Sequence, residues 1–269
     1  MIVRWATIAL LLAAGPAAAV ELNGSASQGG LLYGRTEPGG EVQLDGRAVR
    51  VDAEGRFVVG FGRDAAPSAT LGLTWPDGRQ ETVSLTVVQR DYEVQRIDGL
   101  PETMVSPPEA VWERIRHDAA LVAEARAYDT PLPYFVGPFR QPVEGIVTGI
   151  YGSQRVLNGQ PRQPHYGIDI AASEGTPVLA PAGGIVRLAE PDLYYTGGTI
   201  VLDHGHGVSS TFLHMASLEV TLGERVAQGE RLGTVGSTGR STGAHLDWRI
   251  NWFEERIDPQ LAANPTAGQ

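Results

Sequence analysis

Ala244-His245-Leu246-Asp247-Trp248-Arg249-Ile250 alternates apolar and polar residues, the pattern of a β-strand with one buried face. Side chains alternate along a strand, so His245 and Asp247 project to the same side. An i, i+2 pair of this kind delivers two donors to one point, as a bound metal ion requires. Upstream, His165-Tyr166-Gly167-Ile168-Asp169 supplies a second His/Asp pair, and the four residues together read as dispersed ligands of one divalent metal. Taken alone, His245 and Asp247 read more simply as polar side chains on the wet face of an edge strand.

Around these pairs, residues 137–260 are glycine-rich and contain five of the six histidines. Expected strands are 146–151, 177–180, 184–188, 199–203, 209–214 and 245–251. They imply antiparallel β architecture with long loops bordering a groove. His204 and His206 lie in Asp203-His204-Gly205-His206-Gly207, where the glycines indicate a hairpin turn rather than a second metal site. Residues 20–92 form short alternating strands separated by Asp45-Gly46, Glu54-Gly55 and Pro76-Asp77-Gly78, the pattern of a small β-sandwich of immunoglobulin size. With no histidine and no convergent polar cluster, that module is expected to pack, position or bind.

The intervening residues 93–136 read as a linker with one helix. Ser106-Pro107-Pro108-Glu109 has capping-box spacing, Val111, Ile115, Ala119 and Val122 share a helical face, and Thr130-Pro131 ends the helix. His117, inside it, reads as a surface histidine. Residues 261–269 read as a tail.

The 269-residue chain has no cysteine, which excludes a thiol nucleophile and a thiolate zinc site. All basic residues are arginine, so Schiff-base chemistry through lysine is also excluded. The net charge of −10 argues against nucleic-acid binding. Residues 1–19 combine Arg4, a short apolar run and an Ala-rich end, a secretory-signal pattern with cleavage expected after Ala19. The apolar run is shorter than a membrane span of about 20 residues. A periplasmic protein, not integral to the membrane, is expected.

The ordered set His165-x-x-x-Asp169, Phe212-Leu213-His214-Met215, Gly223-x-x-Val226-x-x-Gly229, Gly233-x-Val235-Gly236 and Ser237 to Asp247 resembles the lysostaphin-type, LytM-like zinc endopeptidases that cut bacterial cell-wall cross-links. The resemblance covers roughly residues 140–260. It implies one zinc ion held by His165, Asp169 and the second residue of a His-x-His pair, which here is Asp247. That departure leaves room for another divalent metal. It also implies His245 as general base, His214 as a residue that orients water and stabilises the tetrahedral intermediate, and peptidoglycan stem peptides as substrate. Arg155, Tyr194 and Tyr195 are candidate substrate contacts. The competing reading is a non-catalytic relative that binds the wall or activates other wall hydrolases. Oligomeric state is not legible.

Overall fold

The computed structural model describes residues 20–99 and 102–264, so the expected signal segment 1–19 and most of the tail lie outside the described residues. The chain is mostly β, with antiparallel sheets. The dominant sheet has ten strands and runs Arg225–Val226, Gly184–Leu193, Gly197–Gly205, Val208–Leu218, His245–Trp252, Ile168–Ala171, Ile146–Gly149 along its main path. Each expected strand of this half is present with shifted ends. The expected set lacked Ile168–Ala171, which lies between Ile146–Gly149 and His245–Trp252. Its alternation of buried Ile168 and Ile170 with half-buried Asp169 and Ala171 is the same signal that marked 245–251, only shorter.

Residues 21–86 build two antiparallel sheets. One contains Glu21–Gly24, Leu31–Arg35 and Arg56–Gly60; the other contains Arg47–Val49, Glu41–Leu44, Ser68–Thr74 and Gln80–Thr86. Phe57 and Val59 of the first, Leu71 and Leu73 of the second, and Trp75 just after it are buried in one cluster. The same cluster of buried side chains continues without a break into Trp252, Ile257 and the core of the ten-stranded sheet. Gly60 permits this join, because a Cβ there would lie 2.6 Å from the Cβ of Trp252.

The linker is less of a spacer than its composition implies. Val94–Ile97 is a strand that pairs in parallel with Gln154–Leu157, which in turn pairs with Gln160–Pro161. A short helix Glu102–Val105 follows, then the main helix Trp112–Arg126. The expected capping box does not form: Val111 is the N-cap, no side chain caps it, and a 3-10 turn Glu109–Val111 leads in. The consecutive prolines account for this. Pro108 keeps an extended ψ of 152°, and the proline ring disfavours helical geometry in the preceding residue, so the chain cannot curl Ser106 back onto Glu109. Leu121, Val122 and Ala125 pack against Leu188, Leu193 and Val201 of the sheet, and His117 is exposed as expected. Among the described residues no helix is long and apolar enough to cross a membrane.

Candidate metal centre and flanking cavity

Strand pairing brings the two carboxylates together. Ile168–Ala171 and His245–Trp252 run antiparallel with Asp169 directly opposite Asp247 and Ala171 opposite His245. Directly opposed residues share a sheet face. Asp169, Asp247 and His245 therefore converge, although 169 and 247 are far apart in sequence. His165 joins from the preceding segment, whose backbone is tied to the turn at 152–153: Gly152 N–H donates to the His165 carbonyl at 2.7 Å, and His165 N–H donates to that of Ser153 at 2.9 Å.

Two glycines make room for the carboxylates. A Cβ on Gly149 would lie 2.2 Å from Asp169 Oδ2, and one on Gly167 would lie 2.8 Å from Asp247 Oδ1.

One donor atom each from His165, Asp169 and Asp247 lies within 4.8 Å of the others. His165 Nε2 is 3.1 Å from Asp169 Oδ1 and 3.5 Å from Asp247 Oδ2. Donors held about 2.1 Å from a tetrahedral ion lie about 3.4 Å apart, so these separations fit zinc. His165 is buried, and its Nδ1 and Nε2, with Asp169 Oδ1, form no hydrogen bond within the protein. Buried polar atoms without partners are rare, and two of these three face one point, which fits a bound cation. Burial works against charge on His165, but the Asp247 and Asp169 carboxylates outweigh it and raise its pKa. The slot thus favours positive charge.

Each carboxylate also has its own arginine. Arg249 Nε donates to Asp247 Oδ1 at 2.9 Å and Nη2 to Oδ2 at 2.6 Å; Arg155 Nη2 donates to Asp169 Oδ2 at 2.9 Å. Burial alone would raise the Asp247 carboxyl, but the Arg249 guanidinium and His165 hold it well below the usual carboxylate range. Asp169 is lowered too, with burial again opposing and His165 and Arg155 prevailing. Arg155 thus stands on a candidate ligand rather than free in the groove.

His214 and His245 flank the triad with ring centroids 4.8 Å apart. His214 has a φ of 65°, unusual for a residue with a Cβ, and its N–H donates to the Thr196 carbonyl. Its Nδ1 lies 2.8 Å from the Thr238 carbonyl oxygen, and His245 Nδ1 lies 2.8 Å from that of Gly243. A carbonyl only accepts, so each Nδ1 carries the hydrogen and each neutral ring presents a lone pair at Nε2. His245 Nε2 is 3.8 Å from Asp169 Oδ1. Burial pushes the His214 pKa down to about 4. His214 is therefore uncharged near neutral pH and suited to accept a hydrogen bond from water. Donating to an oxyanion through Nε2 would require a proton that burial opposes.

Tyr194 and Tyr195 pack edge to face at 4.9 Å and line a cavity of about 290 Å³ beside His214 and Asp247. Tyr194 N–H donates to Asp118 Oδ2 at 2.7 Å, which ties this wall to the helix Trp112–Arg126. A larger cavity of about 720 Å³ lies between residues 44–87 and the far end of the sheet, with none of the triad in its lining. The hairpin expected at 204–207 is present. His204 is buried, with Nδ1 2.6 Å from the Gly183 carbonyl and Nε2 2.8 Å from Ser210 Oγ, while His206 stacks on Phe135 at 4.0 Å. Arg249 carried no weight as a site residue in the sequence. The signal that finds it is again i, i+2 spacing, since Arg249 shares the strand face of Asp247.

Residues 163–259 match the profile of Peptidase family M23. The chain is 38% identical over 102 residues to the DD-carboxypeptidase/endopeptidase Mpg of Neisseria meningitidis serogroup B, covering 38% of this chain and 23% of that protein. It is 37% identical over 87 residues to the peptidoglycan DD-endopeptidase ShyA of Vibrio cholerae, covering 32% of this chain and 20% of that protein. The chain thus spans less than a quarter of the length of these two curated relatives. A crystal structure of a putative peptidase M23 from Pseudomonas aeruginosa superimposes with a TM-score of 0.62 at 29% identity, covering 90% of this chain and 96% of that one.

Proposed function

We propose, from the match of residues 163–259 to the Peptidase family M23 profile, that the chain is a zinc-dependent endopeptidase that hydrolyses peptide cross-links of peptidoglycan. The observation that carries this reading is the convergence of His165, Asp169 and Asp247 donor atoms at a tetrahedral spacing, flanked by two histidines with Nε2 lone pairs. His165 Nε2, Asp169 Oδ1 and Asp247 Oδ2 would hold the ion. When bound, it supplies Lewis acidity, polarising the scissile amide carbonyl and making an attacking water more acidic.

The chain's own groups do the rest. Arg249 and Arg155 fix the carboxylate orientations by charge-assisted bonds. His245, held by Gly243, takes the water proton at Nε2 and returns it to the leaving amine. Uncharged His214 accepts the second hydrogen of that water and fixes its line of attack. Export agrees with this reading, because residues 1–19 carry a secretory pattern and the substrate lies beyond the cytoplasmic membrane.

One observation favours a non-catalytic wall-hydrolase activator instead: both oxygens of Asp247 already accept from Arg249. A carboxylate offers about four lone-pair sites, so Oδ2 keeps one for a metal, and the histidine pair beside the triad supports the enzyme reading. Incubation of the exported chain with purified cross-linked sacculi, followed by mass spectrometry of the soluble fragments, tests the reading. Release of uncrosslinked peptides that stops with chelator and returns with zinc is expected. No cleavage by zinc-loaded protein would overturn it.

A further inference from the structure

The 290 Å³ cavity beside the candidate metal centre is strongly basic in a chain whose net charge is −10. Five arginines line it, Arg126, Arg155, Arg240, Arg249 and Arg256, against the carboxylates of Asp118 and Asp247. Arg155 is matched by Asp169 and Arg249 by Asp247. Arg240 lies over the Tyr195 ring at 4.4 Å.

Arg126 and Arg256 are different. Neither forms an ion pair among the described residues. Arg256 has the Asn251 side-chain oxygen at 3.4 Å and the Tyr166 ring at 5.3 Å, both uncharged partners. Both are half-buried, and burial with repulsion from neighbouring arginines pushes Arg126 down to about 10 and Arg256 down to about 9. Half-buried guanidinium groups that repel each other raise the folding free energy until an anion offsets them. The planar guanidinium fork suits a carboxylate, which it binds through two parallel hydrogen bonds. Ile115, Val122 and Leu213 complete the lining with apolar surface, so the cavity fits an acidic group on an aliphatic stem.

We propose that this cavity is a substrate subsite in which Arg126 and Arg256 bind a free carboxylate of the peptide whose neighbouring amide faces the metal centre. The assignment rests on the peptidase reading above for its substrate, though its test does not depend on cleavage. It makes the enzyme selective for stem peptides that keep their carboxylates over those in which they are amidated. It also gives the helix Trp112–Arg126 a recognition role, since Arg126 is its last residue.

The test is calorimetric binding of an N-acetylated stem tripeptide, which has no cross-link to cut, against the same tripeptide with its carboxylates converted to carboxamides. Wild type should bind the carboxylate form at least about tenfold more tightly, as charged hydrogen bonds require. Arg126→Gln and Arg256→Gln should each remove most of that preference while leaving carboxamide binding unchanged. Arg126→Lys, which keeps the charge but loses the two-pronged fork, should recover only part of the preference. Circular dichroism and melting curves identify any variant that fails to fold, and Arg126, at a helix end, is the substitution least able to disturb the core. Equal affinity for the two peptides, no binding of either, or full preference in folded Gln variants would overturn the assignment. Cleavage of sacculi without carboxylate preference would sink the subsite alone. Preference without cleavage would leave the subsite standing and remove the peptidase reading.

Discussion

Asp169 and Asp247 face each other directly across the antiparallel pair formed by Ile168–Ala171 and His245–Trp252. Two carboxylates in that register repel unless cations lie between or behind them. Arg155 and Arg249 stand behind, and His165 stands between at the position a metal would share. The register makes the centre two-sided, with fixed positive charge outside and a slot suited to a cation inside.

Gly149 pairs with Asp169 in the neighbouring strand, and a methyl group there would overlap the carboxylate. Gly149→Ala is expected to fold yet bind zinc at least about tenfold more weakly, as happens when a ligand's orientation is lost. Metal titration with a competing chelator measures this. Unchanged affinity would show that Asp169 can move without consequence.

Asp247→Ala removes a donor and leaves Arg249 facing the slot with its charge unmatched. Zinc affinity should fall by more than about 100-fold, a larger loss than any supporting residue produces. Asp247→His restores a donor and should recover part of it. Stoichiometric zinc in folded Asp247→Ala, measured by elemental analysis, would remove Asp247 from the ligand set.

His245→Ala and His214→Ala are each expected to lower the rate of sacculus digestion by about 100-fold or more with zinc content unchanged, since general acid–base groups contribute on that scale. Loss of metal from either variant would make that histidine a ligand instead.

Acid stability follows from His204, far from the metal centre. Complete burial pushes its pKa down to about 4 from a model-peptide value of about 6.5. Between those values the unfolded chain binds a proton that the folded chain refuses, so stability rises with pH. The contribution is fully present above about pH 6.5 and shrinks toward pH 4, by about 3 kcal/mol at the limit. Melting temperatures of wild type and His204→Gln between pH 7.5 and 5 should show a shallower acid decline in the variant. Parallel curves would assign the decline to other groups.

Much of the centre was readable from short-range periodicity. The i, i+2 spacing of His245 and Asp247 placed both on one face, and the glycines around His206 marked its turn. The alternation of Ile168, Asp169 and Ile170 held a strand in plain view that was too short to register. Arg249 could have been found by carrying the 245–247 spacing one step further. The partner of Arg155, the parallel pairing of Val94–Ile97 and the meeting of Arg126 with Arg256 were not readable, because each depends on contacts between distant segments. The failed capping box at Ser106 shows the reverse hazard: a correct spacing defeated by the two prolines inside it.

The family match begins at residue 163, yet Val94–Ile97 props the strand bearing Arg155, and Arg126 comes from the helix before it. A fragment cut at 163 would carry every candidate ligand and both histidines while losing one clamp on Asp169 and a wall of the cleft. The stretch that matches the family profile is therefore smaller than the stretch that builds the candidate centre and its flanking cavity here. Grafting residues 163–259 onto another leader sequence would transfer the candidate metal centre without the wall that Arg126 completes.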